Sequence, residues 1–457
     1  MKTHAKPTNW LFAIALCAST AASAELHAQA SAIPAGVATY TIQAENLDGV
    51  LLISARLRGM SGADTVGPLV LDTGAGYLAL DRDLALRLGI ADSASAVLTP
   101  TARPLPAIEF GGREIDQLSP VFTIDGEIVR RVTDRPVLGL IGHSLLDHHA
   151  LIVDYPTSRV TLVHMGDDGS SPVNVDTPPE RIDPRAPGTG PPDDLRRREA
   201  ASREALAAHL AAGARAVPFR LAGDGKILVS ARVADPDTRH MSTPLTLILD
   251  TGASKTALFE EPLAAGAPGY RRWPAARGIL APTLMGDAVA TLVRIPRMEL
   301  TGGAEPLRLD GADAAVLRSE LGELLSEGIG ETVHGLLGYS FLKHYGLAID
   351  YAHRLAWFTP APPDWDGRAL EYTHVGIQIE RHDGAVQVVA VVEGSPAARA
   401  GIGAGDELVA IDGERVTGLD IAVLSRRLEG EAGSKVELTL RRAGAERTHR
   451  IARRRLL

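Results

Sequence analysis

The chain has 457 residues, 45% of them hydrophobic, and a formal net charge of −9 at pH 7. That length supports two to four domains of about 100–200 residues, each able to bury a core. The mild acidity gives no basis for a nucleic-acid partner: only the last residues, "RTHRIARRRLL", are densely basic, and they read as a solvated strand end.

In chain order, the first element is an export signal over residues 1–30. Lys2 and Lys6 precede the apolar run "WLFAIALCA", and the small-residue sites Ala22-Ser23-Ala24 and Ala28-Gln29-Ala30 follow it. The run is too short to anchor the chain across a bilayer, and no later segment is a membrane-span candidate. Cys17, the only cysteine, lies inside the run behind Leu16, so neither a lipid anchor nor a disulfide is expected. The expected location is outside the cytoplasm, in the periplasm rather than fully secreted.

Next comes an alternating segment, "LISARL" (52–57), and then "PLVLDTGAG" (68–76), an apolar strand that runs into an acid. A buried-strand pattern that stops at an acid costs stability unless the acid has a function. "GLIGHSLLDHHALIVDY" (139–155) closes this first unit, residues 37–165. Residues 166–215 read as a linker with seven prolines in 172–192, followed by a helix in "DDLRRREAASREALAAHLAAGA".

The second unit, residues 216–360, repeats the first. "LVSARV" (228–233) answers "LISARL", "TLILDTGAS" (246–254) answers "PLVLDTGAG", and "GLLGYSFLKHYGLAIDY" (335–351) matches 139–155 at nine of seventeen positions. Three blocks in one order are an internal duplication, and two copies predict two facing lobes. Short alternating or β-branched runs between Gly and Pro make the chain mainly β. Short helices are expected at "SLLDHHA" and "SFLKHYG", with Ser144 and Ser340 as helix starts.

Duplication sets equivalent residues on either side of a pseudo-two-fold axis, so Asp72 and Asp250 can meet between the lobes. Two touching carboxylates share one proton over a wide pH range. The ionised member can take a proton from water while the other donates to a carbonyl oxygen, which is amide hydrolysis without a covalent intermediate. No metal or organic cofactor is needed for this. Thr73 and Thr251 supply hydroxyls that can lock the loops, and Gly74 and Gly252 allow a tight turn.

On these residues the chain resembles the aspartic proteases of the pepsin and retropepsin type over roughly residues 37–360. The carriers are Asp72-Thr73-Gly74-Ala75 and Asp250-Thr251-Gly252-Ala253, with Leu140-Ile141-Gly142 and Leu336-Leu337-Gly338 downstream. The resemblance implies a two-lobed β-barrel fold with Asp72 and Asp250 as a catalytic dyad. It further implies Thr73 and Thr251 gripping across the lobes, and Gly142 and Gly338 packing beneath the acid loops. Three departures stand out. Between Asp72 and Gly139 the only tyrosine is Tyr77, which lies in the acid-loop segment and not in a flap, so "AIEFGGREI" (107–115) and "LAPTLMGDAVATLV" (280–293) are the flap candidates. Ala75 and Ala253 stand where pepsins have a hydroxyl donor, which predicts less acidic carboxyls and activity at milder pH. No disulfide braces the lobes.

"GHSLL" (142–146) lacks the glycine of a serine-hydrolase elbow, since Leu146 stands in its place. His143, His148 and His149 near Asp147 have no known ligand spacing and read as surface or packed histidines; no metal site is expected. Residues 368–457 form a third unit. "HVGIQIE" (374–380), "SPAARAG", "GDELVAIDG" and a helix near Leu419 resemble a PDZ domain, a small α/β fold. The resemblance implies a peptide added to a sheet edge and a carboxylate-receiving loop at Val375, Gly376, Ile377 and Gln378. A C-terminal peptide is the implied ligand, and the chain's own Leu456-Leu457 is one such tail. The whole reads as an exported aspartic endopeptidase acting on protein or peptide, with a monomer sufficient for activity because both acids lie in one chain. The alternative is a non-catalytic exported peptide-binding adaptor, a dead protease joined to a PDZ domain.

Overall fold

The computed structural model describes residues 39–62, 64–146, 149–165, 192–222, 224–237, 240–283, 286–362, 365 and 370–457. The export signal over 1–30 and the linker's residues 172–191 lie outside them, as do Asp147 and His148. The chain is mainly β: each lobe is built on an eight-stranded sheet, and a further sheet joins the lobes.

The duplication is visible in burial as well as in sequence. Strand Val50–Arg58 is buried on both faces over its first four residues and alternates thereafter; strand Lys226–Val233 repeats that pattern. Each turns back antiparallel into the strand that ends at the acid, Asp64–Leu71 or Leu245–Leu249. Each acid-bearing strand then pairs in parallel with the glycine motif, Leu69 with Gly139 and Leu247 with Gly335. The spacing of that motif has a steric cause. A Cβ on Gly142 would stand 2.3 Å from the Tyr77 carbonyl oxygen, and one on Gly338 would stand 2.2 Å from that of Lys255. Glycine lets the chain pass this closely beneath the acid loop.

Strands His149–Asp154 and Tyr345–Asp350, which are equivalent in the repeat, pair with each other antiparallel from Ala150↔Asp350 to Val153↔Leu347. The pseudo-two-fold axis passes between them, within a six-stranded sheet drawn from both lobes. One continuous apolar cluster includes Leu51, Leu69 and Tyr155 of the first lobe with Ile227, Leu247 and Tyr351 of the second. The lobes therefore share a core, which fixes the geometry between them.

Two local expectations need correction. The segment "SLLDHHA" gives only a single 3-10 turn, His143–Leu145, because His149 already begins a strand; its counterpart is the four-residue helix Tyr339–Leu342. Ser144 and Ser340 do not cap these turns, whose N-cap positions are Gly142 and Gly338. Their hydroxyls accept from the Leu78 and Thr256 backbone N–H groups instead, at 3.2 and 2.9 Å, tying the glycine motif to the strand after the acid loop. Set between elements, with Ser340 buried and Ser144 partly so, each hydroxyl satisfies a backbone donor, which outweighs a cap at an already close-packed turn.

The third unit has its own core, including Val375, Ile377, Leu408, Leu424 and Leu438. Its five main strands run in the order Ile377–His382, Ala385–Val391, Glu407–Ile411, Lys435–Arg442, Ala445–Ala452, so Ile377–His382 is an edge. Helix Ile421–Leu428 starts at Asp420, whose carboxylate accepts from the Ala422 N–H and caps it. The basic tail is a largely exposed strand, as expected, until its last residue: Leu457 is buried in a second-lobe cluster with Ile279, Tyr372 and Val392.

Candidate active site

The two acids end their strands in the same way. The Asp72 backbone N–H donates to the Ile141 carbonyl at 3.0 Å, and that of Asp250 donates to Leu337 at 3.1 Å. Oδ1 of Asp72 accepts from the N–H groups of Gly74 and Ala75, at 2.8 and 3.1 Å. Oδ1 of Asp250 accepts from Gly252 and Ala253 at the same two distances. Both Oδ2 atoms are buried and receive no backbone donor. The acids face each other so closely that a Cβ on Gly74 would lie 2.8 Å from the Asp250 carboxyl, and one on Gly252 would lie 2.7 Å from Cγ of Asp72.

The threonines cross the interface reciprocally. The Thr73 hydroxyl donates to the Leu249 carbonyl at 2.9 Å and accepts from the Thr251 N–H at 3.1 Å. The Thr251 hydroxyl donates to Leu71 at 2.9 Å and accepts from the Thr73 N–H at 3.1 Å. All four of these groups are fully buried, so each bond satisfies polar atoms that have no access to water. Ala75 and Ala253 are also fully buried and offer the acids only their N–H groups, while their carbonyls accept from the N–H groups of His143 and Tyr339.

Burial, and then the neighbouring Asp250, hold the Asp72 carboxyl well above the usual carboxylate range. Burial pushes Asp250 up to about 7, against the pull of hydrogen bonds from Asp72, Gly252 and Ala253 and of the Lys226 ammonium. With the lower of the two at about 7, the pair holds a single proton from about neutral pH upward, the state in which one carboxyl can donate while the other accepts. Among the described residues, no group of three or more His, Cys, Asp or Glu is placed to hold a metal ion.

The other singled-out residues fall as follows. Tyr77 lies beside the first acid loop and stacks on Phe122 at 4.7 Å. Both flap candidates lie in hairpins, Leu105–Phe110 with Arg113–Leu118 and Ala275–Thr283 with Gly286–Thr301. The second reaches the other lobe, where Asp287 pairs with Arg131 at 2.9 Å. His143 packs on Tyr351, and His149 on Tyr40 and His164.

In the third unit, Val375 and Ile377 are buried in its core. The Gly376 N–H donates to Nδ1 of His374 at 2.9 Å. The Gln378 side-chain amide is paired with the second lobe, accepting from the Leu280 N–H at 3.0 Å and donating to its carbonyl at 3.1 Å. Sequence reasoning did not notice Lys226, a buried lysine within 2.6 Å of both Asp224 carboxylate oxygens. The available signal was its position: it stands at the head of the repeated strand, where the first copy has Val50.

Residues 229–341 match the family model described as aspartyl protease, and residues 387–442 match that of the PDZ domain. The carboxy-terminal processing protease CtpA of Bacillus subtilis is 37% identical over 76 residues, which are 17% of this chain and 16% of that protein. The chloroplastic C-terminal processing peptidase of Tetradesmus obliquus is 42% identical over 82 residues, 17% of this chain and 18% of that protein. The chain thus spans less than a fifth of the length of these curated relatives, within the PDZ region. Among solved structures, the aspartic proteinase from Irpex lacteus aligns over 71% of this chain and 98% of its own, at 11% identity and a TM-score of 0.39. The PDZ domain of a carboxy-terminal protease from Vibrio cholerae, solved with a peptide, aligns over 18% of this chain and 94% of its own, at 24% identity and a TM-score of 0.17. The aspartyl-protease match takes in Asp250 and the second glycine motif, and the first lobe repeats both, so the chain is a duplicated, two-lobed aspartic-protease fold followed by a C-terminal PDZ domain.

Proposed function

We propose that the protein is an exported aspartic endopeptidase whose dyad is Asp72 and Asp250, with the PDZ domain binding peptide or regulating access to the cleft. What supports this reading most is the meeting of the two acids inside the reciprocal threonine bonds, since a decayed site has no need to keep both. The ionised carboxylate takes a proton from a water as its oxygen bonds to the peptide carbonyl carbon. The protonated partner gives its proton to the carbonyl oxygen, and a neutral gem-diol forms. On collapse the first acid protonates the amine as the C–N bond breaks, and the second recovers a proton from a diol hydroxyl. The products are a carboxylic acid and an amine, and the dyad again holds one proton.

The test is cleavage of an unstructured protein by the mature chain between about pH 3 and pH 8, across carboxylate titration. Wild type is compared with Asp72→Asn and Asp250→Asn. Cleavage in wild type and its loss in both variants is the expected result. Because both carboxyls are raised, the acid limb of activity is expected near neutral pH and not in the ordinary carboxylate range, and an optimum below about pH 3 would contradict that. Equal behaviour of all three proteins would return the molecule to the adaptor reading.

A further inference from the structure

The two acid loops share Asp-Thr-Gly-Ala, but one nearby pair of equivalent positions differs in charge within a strand, Val50 in the first lobe and Lys226 in the second. In the first lobe, strands Val50–Arg58 and Asp64–Leu71 pair with Leu52 opposite Val70; the same register carried two residues on sets Val50 opposite Asp72. In the second lobe Leu228 lies opposite Ile248, and the same step sets Lys226 opposite Asp250. Continued past the last paired residues, the register thus points a buried valine towards one acid and a buried lysine, 3% exposed, towards the other.

Lys226 is paired with Asp224 through both carboxylate oxygens at 2.6 Å. Asp224 lies in the turn ahead of the strand and reaches the other lobe: a Cβ on Gly76, just past the first acid loop, would stand 2.4 Å from its carboxylate. The next residue, Gly225, is seated against the His143 ring of the first lobe. The ion pair is thus buried and oriented, its negative end against the loop that carries Asp72 and its positive end on the side of Asp250.

We propose that Lys226 is the positioning residue that divides the work within the dyad, so that Asp250 is the carboxylate that activates water and Asp72 is the acid that keeps the proton. This rests on the aspartic-peptidase reading. Asp72 and Tyr155 face Asp250, with Tyr339 packed on Tyr155, while Tyr77 faces Asp224 and His143 sits against Gly225. Of the two acids, Asp250 is the one drawn down by Lys226, whereas Asp72 is pushed further up by Asp250. A duplicated site is symmetric by descent, and one substitution at the strand head is enough to bias where the single proton resides.

The experiment compares wild type, Asp224→Asn, the double variant Lys226→Val with Asp224→Asn, and Lys226→Arg. The double variant restores the neutral residue of the first lobe without leaving an unpaired buried charge. Two readouts are taken: the pH profile of kcat/KM, and the carboxyl ¹³C titration of the two acids, assigned by difference from Asp72→Asn and Asp250→Asn. Asp224→Asn leaves the ammonium uncompensated and is expected to move the acid limb to lower pH. The double variant is expected to move it to higher pH, by about one to two pH units for loss of a charge at this range. Lys226→Arg keeps the limb near its wild-type place. A purely structural role predicts no such opposite displacement. Asp72 ionising first, or both neutralising variants moving the limb the same way, overturns the proposal. If wild type cleaves nothing, the peptidase reading falls and the ¹³C titration still decides which acid ionises first. If the double variant does not fold, the direction of the Asp224→Asn displacement decides.

Discussion

Asp250 illustrates how a single residue's chemistry is set by its surroundings. Its carboxyl is fully buried, and burial raises it from an ordinary carboxylate value to about 7. Below the unfolded value both the folded and unfolded chains hold this proton, and the fold carries no penalty. As pH rises towards 7 the unfolded chain releases the proton first, so stability is lost across that window and levels off above it. Asp250→Asn keeps an oxygen for the Gly252 and Ala253 N–H groups but cannot ionise. The variant is therefore expected to match wild type near pH 3 and to exceed it near pH 7 by a few kcal/mol at most, read as thermal midpoints across pH. A variant less stable than wild type at pH 7 would show that the carboxylate is not held at this cost.

At the scale of elements, the two acid loops are joined by four hydrogen bonds that originate in only two side chains. Thr73→Val removes a donor to Leu249 and an acceptor for Thr251, and strands both in a site without water. The expected cost is about 2–3 kcal/mol in denaturant unfolding, with Thr73→Ser restoring most of it. If valine and serine proved equally stable, the threonines would be packing residues and not a lock. A second element-scale joint is strand Ala275–Thr283, at one edge of the second-lobe sheet. The PDZ domain covers it through Gln378 on Leu280 and through the Glu393 N–H on Arg277. An edge strand is usually protected by charge, proline or a covering element, and here an amide side chain imitates a neighbouring strand. Gln378→Leu is expected to speed hydrogen exchange at the Leu280 amide by at least several-fold, and unchanged exchange would mean that the domains are held elsewhere.

At the scale of the whole molecule, the PDZ domain contacts both lobes. Asp420 pairs with Arg135 of the first lobe at 2.6 Å, and Arg381 with Asp134 at 3.5 Å. Glu371, near the start of this unit, lies buried between Lys255 and Lys343 of the second lobe, and the Lys255 ammonium stands over the Tyr372 ring. Removing one member of such a buried group leaves its partners uncompensated. Glu371→Gln is expected to cost about 3–5 kcal/mol and to loosen the PDZ domain from the lobes, measurable as a lower unfolding midpoint and faster proteolysis before residue 370. A neutral outcome would mean that water reaches the lysines.

The sequence by itself determined the duplication, the two acid loops, their threonines and glycines, and the PDZ domain. Each of these depends on local spacing or on steric demands that only certain residue types meet. Gly142 and Gly338, for example, are legible because no Cβ fits beneath the loops. Only the tertiary structure decided what faces what. The partners of Gln378 are backbone atoms of Leu280, which carry no sequence signature. The expected helix-start role of Ser144 gave way to a bond with the Leu78 N–H, a residue 66 positions away. The difference between Val50 and Lys226 is plain in the sequence, yet it acquires meaning only when the strands bring each towards an acid. Register and burial are properties of the assembled sheets, and they set different neighbours beside two like motifs.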